Sequence, residues 1–534
     1  MEKLRNLLSR LKLSLSELAR TKERAQIPLN LSPTSESYVG AIPSLQKGRA
    51  GNQILSDQFF DLVESMDVEV FCDIGANQGE ISRRARKTIP DASVFGFEAN
   101  PNIHSMYRKT NEEAGVHWKN LAIADRSGKV DLFIPRVLER AFVDGSLVNK
   151  RIEEAENTGK SSLLRRDEDA EYETVKVKGV SIDAFLDVAA PEGRVALWID
   201  VEGAAATVLD GAEKTLQRTE VLLVEVEGFA FWKDQALVER VLDTLRQAGF
   251  VPVLRDREYE DAQFNILCVR KANDIADTQS KIGKVIENAP VAKERGISLL
   301  PSNVPIFVPT FNNPSFCMMM LHTLHKSGFE EITFVDNAST EVEMHQALEE
   351  LEARGAAIER LSENLGPRAS IFTEERLQRL PRHFCVTDPD LEFNPTLPST
   401  FLGEMAEAMV KWGKGKIGFA LDISDRNTLK NVKFNIVGTQ EHHIWEWEEQ
   451  FWRSRLGFTA DNAPVYDAKV DTTFALYDQN RFDQNHFLDA LRVGGQYTAC
   501  HLPWLAESRI SAQEERTYRA TQEHSNYLGD RETS

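Results

Sequence analysis

In this 534-residue chain, acidic residues recur directly after short apolar runs. Val70-Phe71-Cys72 leads into Asp73-Ile74-Gly75-Ala76-Asn77-Gln78-Gly79, and Val94-Phe95-Gly96-Phe97 ends at Glu98. An acid at the end of a strand, beside a glycine turn, marks the place where open α/β sheets bind ligands. Gly75 permits backbone dihedrals closed to other residues, and Gly79 lets a ligand approach the backbone; Asn77 lies in the turn between them. Glu98 follows the turn by ~20 residues, and its two oxygens match the two vicinal hydroxyls of a ribose. Asp-x-Gly-x-x-x-Gly is not Gly-x-Gly-x-x-Gly, and no pyrophosphate cradle accompanies it. A cofactor with a ribose and no phosphate, S-adenosylmethionine, therefore fits better than a dinucleotide. Asp125, closing Leu121–Asp125, is the candidate for the adenine end, or else a turn-forming aspartate before Ser127-Gly128.

A fourth run, Leu197-Trp198-Ile199, ends in Asp200-Val201-Glu202-Gly203. Asp200 and Glu202 face one side of an extended chain. Such a pair can orient or deprotonate a sugar hydroxyl once burial raises one pKa, hold the methionine amino group, or simply form a polar strand end. Glu225 and Glu227 repeat that spacing one strand later.

The second half repeats the theme. Pro309, Thr310 and Asn312 close one apolar run, where backbone and amide groups can meet a nucleotide base, and Asp336 closes the next, placed to accept from a base or ribose. Asn364, Gly366 and Arg368 combine a glycine turn with a cation suited to a diphosphate. Asp388-Pro389-Asp390 is a D-x-D, whose hard carboxylate oxygens suit Mg²⁺ or Mn²⁺ bridging the phosphates of a nucleotide-sugar. Asp388 counts toward both the nucleotide-sugar and the metal, and His501 can complete the metal shell through an imidazole nitrogen. Asp471, between apolar residues, is the candidate base for an acceptor hydroxyl.

The elements that must position these groups alternate. Apolar runs from Val68 to Arg270 are separated by helical patterns such as Leu237–Ala248, which implies a largely parallel α/β sheet with both faces covered. The charged stretch Glu139–Glu173 breaks this rhythm and reads as a long loop or inserted helix. A second α/β rhythm begins at Val304 with strand Val304–Pro309 and helix Ser315–Ser327. The expected division is an N-terminal amphipathic helix and connector (1–50), a first α/β domain (51–271), a linker (272–302), a second α/β domain (303–505) and a polar tail (506–534). The helix over residues 1–25 carries Leu4, Leu7, Leu8, Leu11, Leu15 and Leu18 on one face and mostly basic residues elsewhere, suiting helix pairing or a peripheral stand on an acidic membrane surface.

Composition sets the outer bounds. The chain has 63 Lys and Arg against 83 Asp and Glu, a net charge of −20, which argues against nucleic acid as a partner. No apolar run approaches the ~20 residues of a membrane span, and the five scattered cysteines fit a reducing compartment, so a cytoplasmic location is expected; the N-terminal helix leaves open a peripheral stand at the inner membrane face or packing on its own protein.

The motifs also carry resemblances. Phe71–Gly79, Phe97-Glu98-Ala99-Asn100-Pro101, Ser161-Ser162-Leu163, Ile199–Ala204 and Val208-Leu209-Asp210-Gly211-Ala212 resemble, in order, an FkbM-type S-adenosylmethionine-dependent O-methyltransferase. That resemblance implies a Rossmann-like fold and methyl transfer to a hydroxyl, often on a sugar. Ala205 stands where the family usually has an acid, which leaves Glu202 as the better candidate base. Thr387-Asp388-Pro389-Asp390, Asp471–Tyr477 and His501-Leu502-Pro503-Trp504 resemble a GT-A-fold glycosyltransferase of bacterial polysaccharide assembly. It implies a transferase that uses a nucleotide-sugar donor, a glycan acceptor and Mn²⁺ or Mg²⁺. The leading reading is one chain that methylates and glycosylates a glycan. The alternatives are a methyltransferase whose second domain only binds glycan, and a membrane-docked scaffold with degenerate sites.

Overall fold

The computed structural model describes residues 33–143, 146–153, 159–165, 171–257, 259, 261–271, 275–288, 299–434, 441–471 and 473–521. The expected helix over residues 1–25 lies outside them, as does the tail beyond 521. No described helix is long and apolar enough to cross a membrane.

The first α/β unit is built on an eight-stranded sheet. Its spatial order is Ser44–Lys47, Phe250–Arg257, Gln263–Arg270, Thr219–Glu227, Val195–Ile199, Val70–Ile74, Ser93–Phe97 and His117–Lys119. Only Gln263–Arg270 runs against the rest. Every residue of Val70–Ile74 and Val195–Ile199 is buried, as continuous apolar runs in a doubly covered parallel sheet must be. Val238, Val241, Leu242 and Leu245 recur at helical spacing in the helix Val238–Gln247 and bury that face. Chain order reverses between Val70–Ile74 and Val195–Ile199, which opens a crevice at their carboxyl ends.

Several segments differ from the expectation. Among the described residues of Glu139–Glu173, 139–143, 146–153 and 171–173 form strand rather than loop or helix. Gly128–Val143 pairs antiparallel with Ser146–Glu153 and with Glu171–Val180 in a separate four-stranded sheet. In Glu171–Val180, Val175, Val177 and Gly179 alternate with Lys176 and Lys178, so one face of the strand is solvated and its composition hides it. The expected connector before residue 51 is also structured. Pro33–Gly40 is a helix, and Ser44–Lys47 adds an edge strand beside Phe250–Arg257. In the expected linker, the helix Ile275–Asn288 buries Ile282 and Ile286 against the first unit's core.

The second unit centres on a sheet ordered Ala357–Arg360, Ile332–Asp336, Ile306–Thr310, His383–Val386, Ala475–Asp478, Lys416–Leu421, Leu491–His501, Pro464–Asp467 and Arg455–Phe458. The first four strands are parallel, and Ala475–Asp478 runs against both of its neighbours. Here chain order reverses between Ile306–Thr310 and His383–Val386, so this α/β sheet too has a crevice at its strand ends. The tail helix Ala512–Thr521 folds back, and Glu514 accepts from the Ser315 amide at 2.9 Å.

The units meet through a buried ionic joint. Asp261 of the first pairs with Arg255 at 2.8 Å and with Arg455 of the second, and Asp261 and Arg255 are both almost wholly buried. Ser44 Oγ donates to the Asn462 carbonyl at 2.7 Å, and Arg257 lies 3.3 Å above the Phe458 ring. The arginines hold the Asp261 carboxyl well below its ordinary value, despite burial. Asp261→Asn leaves the buried Arg255 guanidinium without its anion, so urea denaturation should show a loss of about 3–5 kcal/mol. A midpoint equal to wild type would contradict this role.

Candidate functional site

At the first unit's crevice, Gly75 has φ +87, and a Cβ there would lie 1.7 Å from the Asp200 carbonyl oxygen, so the two strand ends meet only because residue 75 is glycine. Beside this contact opens a small cavity, partly open to solvent. Gly75, Asn77, Glu98 and Asp200 line it, with Ile74, Phe97, Ala99, Leu121, Ile123 and Leu163 among its apolar walls. Among the described residues, its lining contains no Lys, Arg or His. Two carboxylates in an apolar wall suit an adenosine with a cationic sulfur and repel a pyrophosphate. S-adenosylmethionine fits this donor set.

Glu98 is fixed from both sides. Its Oε2 accepts from the Asn77 amide at 2.8 Å and its Oε1 from the Asn100 amide at 2.6 Å. Each carboxylate oxygen keeps a further lone pair for a ribose hydroxyl. Asn100, fully buried, reaches Ser161 Oγ at 3.1 Å, and Ser162 Oγ donates to the Glu202 carbonyl at 2.7 Å. Those serines line the cavity and were legible only as part of the resemblance.

Other sequence candidates stand back from the cavity lining. Asp73 accepts from Ser82 Oγ at 2.6 Å beneath the turn. Gly79 is pressed against Asn111, whose Oδ1 would lie 2.3 Å from an added Cβ, so its missing side chain makes room for a neighbour. Asp125 is exposed, 3.7 Å from Arg126, whereas Leu121, Ala122 and Ile123 line the cavity.

Deeper in, Asp200, Glu202 and Glu225 bring carboxylate oxygens within 4.8 Å of one another. Lys160 Nζ lies 2.9 Å from Glu202 Oε1. Burial, then the charges of Glu202 and Asp200, push Glu227 up to about 8. Lys160 had no signal in the sequence, because it sits on a charged stretch without periodicity. Glu225 and Glu227 had one, the repeated E-x-E spacing.

In the second unit, Asp390 is buried, and its Oδ2 lies 3.4 Å from His501 Nε2. Burial alone would lower the His501 pKa, but Asp390 beside it and Asp388 nearby raise it. Among the described residues, Asp388, Asp390 and His501 do not bring three ligand atoms within 4.8 Å. The donor set still fits Mg²⁺ or Mn²⁺, which commonly take one or two protein ligands and fill the remaining positions from phosphates and water. Asp388 and Asp471 act on the same two buried groups, Lys416 and Tyr477, so the D-x-D and the candidate base face one region.

Lys416, unsuspected from sequence, is wholly buried and donates to the carbonyls of Val470 and Asp471, each at 2.8 Å, and of Phe487 at 3.2 Å. Burial pulls it down to about 7, against the opposing charges of Asp471 and Asp388. It is a strut under the loop that carries Asp471. Asp336 accepts weakly from the Ser339 amide, at 3.3 and 3.4 Å to its two oxygens. Asn364 Oδ1 accepts from the Gly366 amide at 3.0 Å, shaping the turn that carries Arg368. Thr310 Oγ1 meets Cys317 and Asn313, next to Pro309. Asn312 spends its side chain on Thr340 and Glu341 and so braces two loops. Arg368 borders a groove of about 1160 Å³ with Phe451, His486 and Phe487, which Asp388, Asp390 and Asp471 do not line.

Burial pushes Asp73 from an ordinary carboxylate value up to about 7. Between about pH 4 and pH 7 the unfolded chain has lost this proton while the folded chain keeps it, so its contribution to stability falls as pH rises through that window. Urea denaturation should therefore show wild type losing stability relative to Asp73→Asn across the window, with the difference levelling above it. Parallel pH profiles would contradict the burial of this acid.

Comparison with known proteins agrees with the first crevice. Residues 73–252 match the model of the methyltransferase FkbM domain. The chain is 28% identical over 197 residues to the 2-O-methyltransferase NoeI of Sinorhizobium fredii (strain NBRC 101917 / NGR234), covering 35% of this chain and 75% of that one. It is 24% identical over 247 residues to the methyltransferase sdnD of Sordaria araneosa, covering 43% and 92%. Among solved structures, S. aureus TarS 1-349 aligns at 15% identity over 33% of this chain and 47% of that one, with a TM-score of 0.20. The match to the methyltransferase FkbM domain falls within the first α/β unit.

Proposed function

We propose that the first unit transfers a methyl group from S-adenosylmethionine to a sugar hydroxyl, and that the second transfers a glycosyl group from a nucleotide-sugar to a glycan with Mn²⁺ or Mg²⁺. Both would serve one glycan, in keeping with assembly of a bacterial surface polysaccharide. The observation that carries the first half is the crevice cavity with Glu98 and Asp200 in its lining and, among the described residues, no cationic side chain there. The NoeI relative is named a 2-O-methyltransferase, which supports oxygen as the acceptor atom.

Glu98, with Gly75 and Asn77 beside it, would hold the ribose, and Leu121, Ala122 and Ile123 would cover the adenine. Bound there, S-adenosylmethionine supplies a methyl carbon on a cationic sulfur. Asp200 and Glu202 face the acceptor side, where a carboxylate takes the hydroxyl proton as the oxygen bonds to carbon. Glu98→Ala removes two acceptors, so calorimetry should find S-adenosylmethionine binding weakened by about 1–3 kcal/mol. Unchanged affinity would remove Glu98 from the ribose.

For the second unit, Asp388, Asp390 and His501 would hold the metal, through which Asp388 meets the nucleotide-sugar; Arg368 would hold the diphosphate, and Asp471 would take the acceptor's proton. A panel of nucleotide-sugars with Mn²⁺ should yield free nucleotide from wild type and none above background from Asp390→Ala. The groove bordered by Arg368, Phe451 and Phe487 lies apart from the D-x-D and favours a second reading, a unit that binds glycan without transfer. Equal nucleotide release from wild type and variant would favour that reading and end the first.

A further inference from the structure

Residues 159–165 run between the cofactor cavity and the acids behind it. Gly159, Ser161, Ser162 and Leu163 line the cavity, whereas Lys160 reaches away from it to Glu202. The segment is held at several points. Ser162 exchanges two backbone hydrogen bonds with Phe133, at 2.9 and 3.1 Å, and the Lys233 amide donates to the Arg165 carbonyl at 2.7 Å. Gly159, at φ +80, lies so close to the cofactor turn that a Cβ would meet Asn77 Nδ2 at 2.7 Å. Asn100, whose backbone amide holds Glu98, donates from Nδ2 to Ser161 Oγ at 3.1 Å. On the other side the segment fixes one acid twice. Lys160 Nζ donates to Glu202 Oε1 at 2.9 Å, and Ser162 Oγ to the Glu202 carbonyl at 2.7 Å. These bonds hold Glu202 in a left-handed backbone, φ +49, which glutamate adopts far less readily than glycine. Its Oε2 meets Gln263 Nε2 at 3.5 Å, the outer limit of a hydrogen bond. Burial alone would lower the Lys160 pKa, but Glu202 and then Glu225 outweigh it and hold the ammonium above its ordinary value. Asp200, Glu225, Glu227 and Tyr259 are the other titratable groups around this pair. Burial, then the neighbouring acids, raise Glu225 and Glu227, the latter to about 8, so these two keep their protons at neutral pH.

We infer that Lys160 is a positioning residue for methyl transfer: it anchors Glu202 through Oε1, leaves Oε2 to the acceptor, and so makes Glu202 the acid that takes the acceptor's proton. This role deepens the methyl-transfer reading and rests on it. Asp200 lines the cofactor cavity itself, which leaves it to the ammonium at the cofactor's methionine end. Glu225 and Glu227, protonated, have no lone charge with which to accept a proton. In the step that Lys160 serves, Glu202 Oε2 accepts the hydroxyl proton and the oxygen's electron pair bonds the methyl carbon. The carbon–sulfur pair returns to sulfur, so a cationic donor and a carboxylate become a neutral thioether and a carboxylic acid. Because Ser161 on the same segment braces Asn100 beneath Glu98, the proton acceptor and the ribose end of the cavity share one support.

The test follows tritiated methyl from S-adenosylmethionine onto a panel of methyl hexopyranosides, from mildly acidic to mildly alkaline pH, for wild type, Lys160→Met and Lys160→Arg. An opposite charge favours the charged form of its neighbour. Losing Lys160 should therefore move the acid limb of kcat/KM up by at least about one pH unit, with activity returning toward wild type above the new limb. Lys160→Arg keeps a cation and should restore most of that shift. A limb that stays in place, or the same fractional loss at every pH, would overturn the role. Calorimetry with S-adenosylhomocysteine on the same three proteins keeps this result apart from the reading beneath it. Equal affinity in all three shows that fold and cofactor site survive, so an unmoved limb counts against Lys160 alone. Binding lost in Lys160→Met makes Lys160 a structural residue and also overturns the role. No binding by wild type, or no methyl transfer by it to any glycoside, ends the methyl-transfer reading and this role with it.

Discussion

Buried carboxylates gathered at the ends of parallel strands are the constraint around which the first unit is arranged. A charge taken out of water must be paired, hydrogen-bonded or protonated. Glu98 is answered by two backbone amides, Asp73 by Ser82, and Glu202 by Lys160. Each still carries burial as its main electrostatic influence where a shift is resolved, and Asp73 and Glu98 are both pushed up to about 7. The arrangement is costly for the protein alone and favourable once a cationic or hydroxyl-rich ligand arrives, which is how a binding site differs from a core.

The second unit meets the same constraint differently. Asp390 is set against His501, and the loop bearing Asp471 is tied down from beneath by the buried ammonium of Lys416. Negative groups there alternate with positive ones, Arg368 among them, which suits a ligand bringing its own phosphates and a metal. The joint of Arg255, Asp261 and Arg455 couples the two sheets, so their crevices belong to one folded body.

Strand ends were readable because fully buried parallel strands are uninterrupted apolar runs, and an acid after such a run stands out. Val195–Ile199 and the D-x-D are of that kind. Segments that satisfy only one face were not readable. Glu171–Val180 alternates lysines with valines and passes for loop, while Ser44–Lys47 is too short to show a period. Site residues followed the same division. Glu98 and Asp200 belong to strand ends and line the cavity as expected. Asp125 and Gly79 had the right residue types, but a surface ion pair and the Asn111 side chain account for them. Lys160 and Lys416 act by tertiary placement alone, which no local spacing encodes.

The central claim is that the first crevice is shaped for an adenosine bearing a cationic sulfur and closed to phosphate. Side-by-side calorimetric titration with S-adenosylmethionine and with NAD⁺ tests it most directly. The account predicts one saturable site per chain for S-adenosylmethionine and no measurable heat of binding for NAD⁺. NAD⁺ binding as tight as that of S-adenosylmethionine would contradict it.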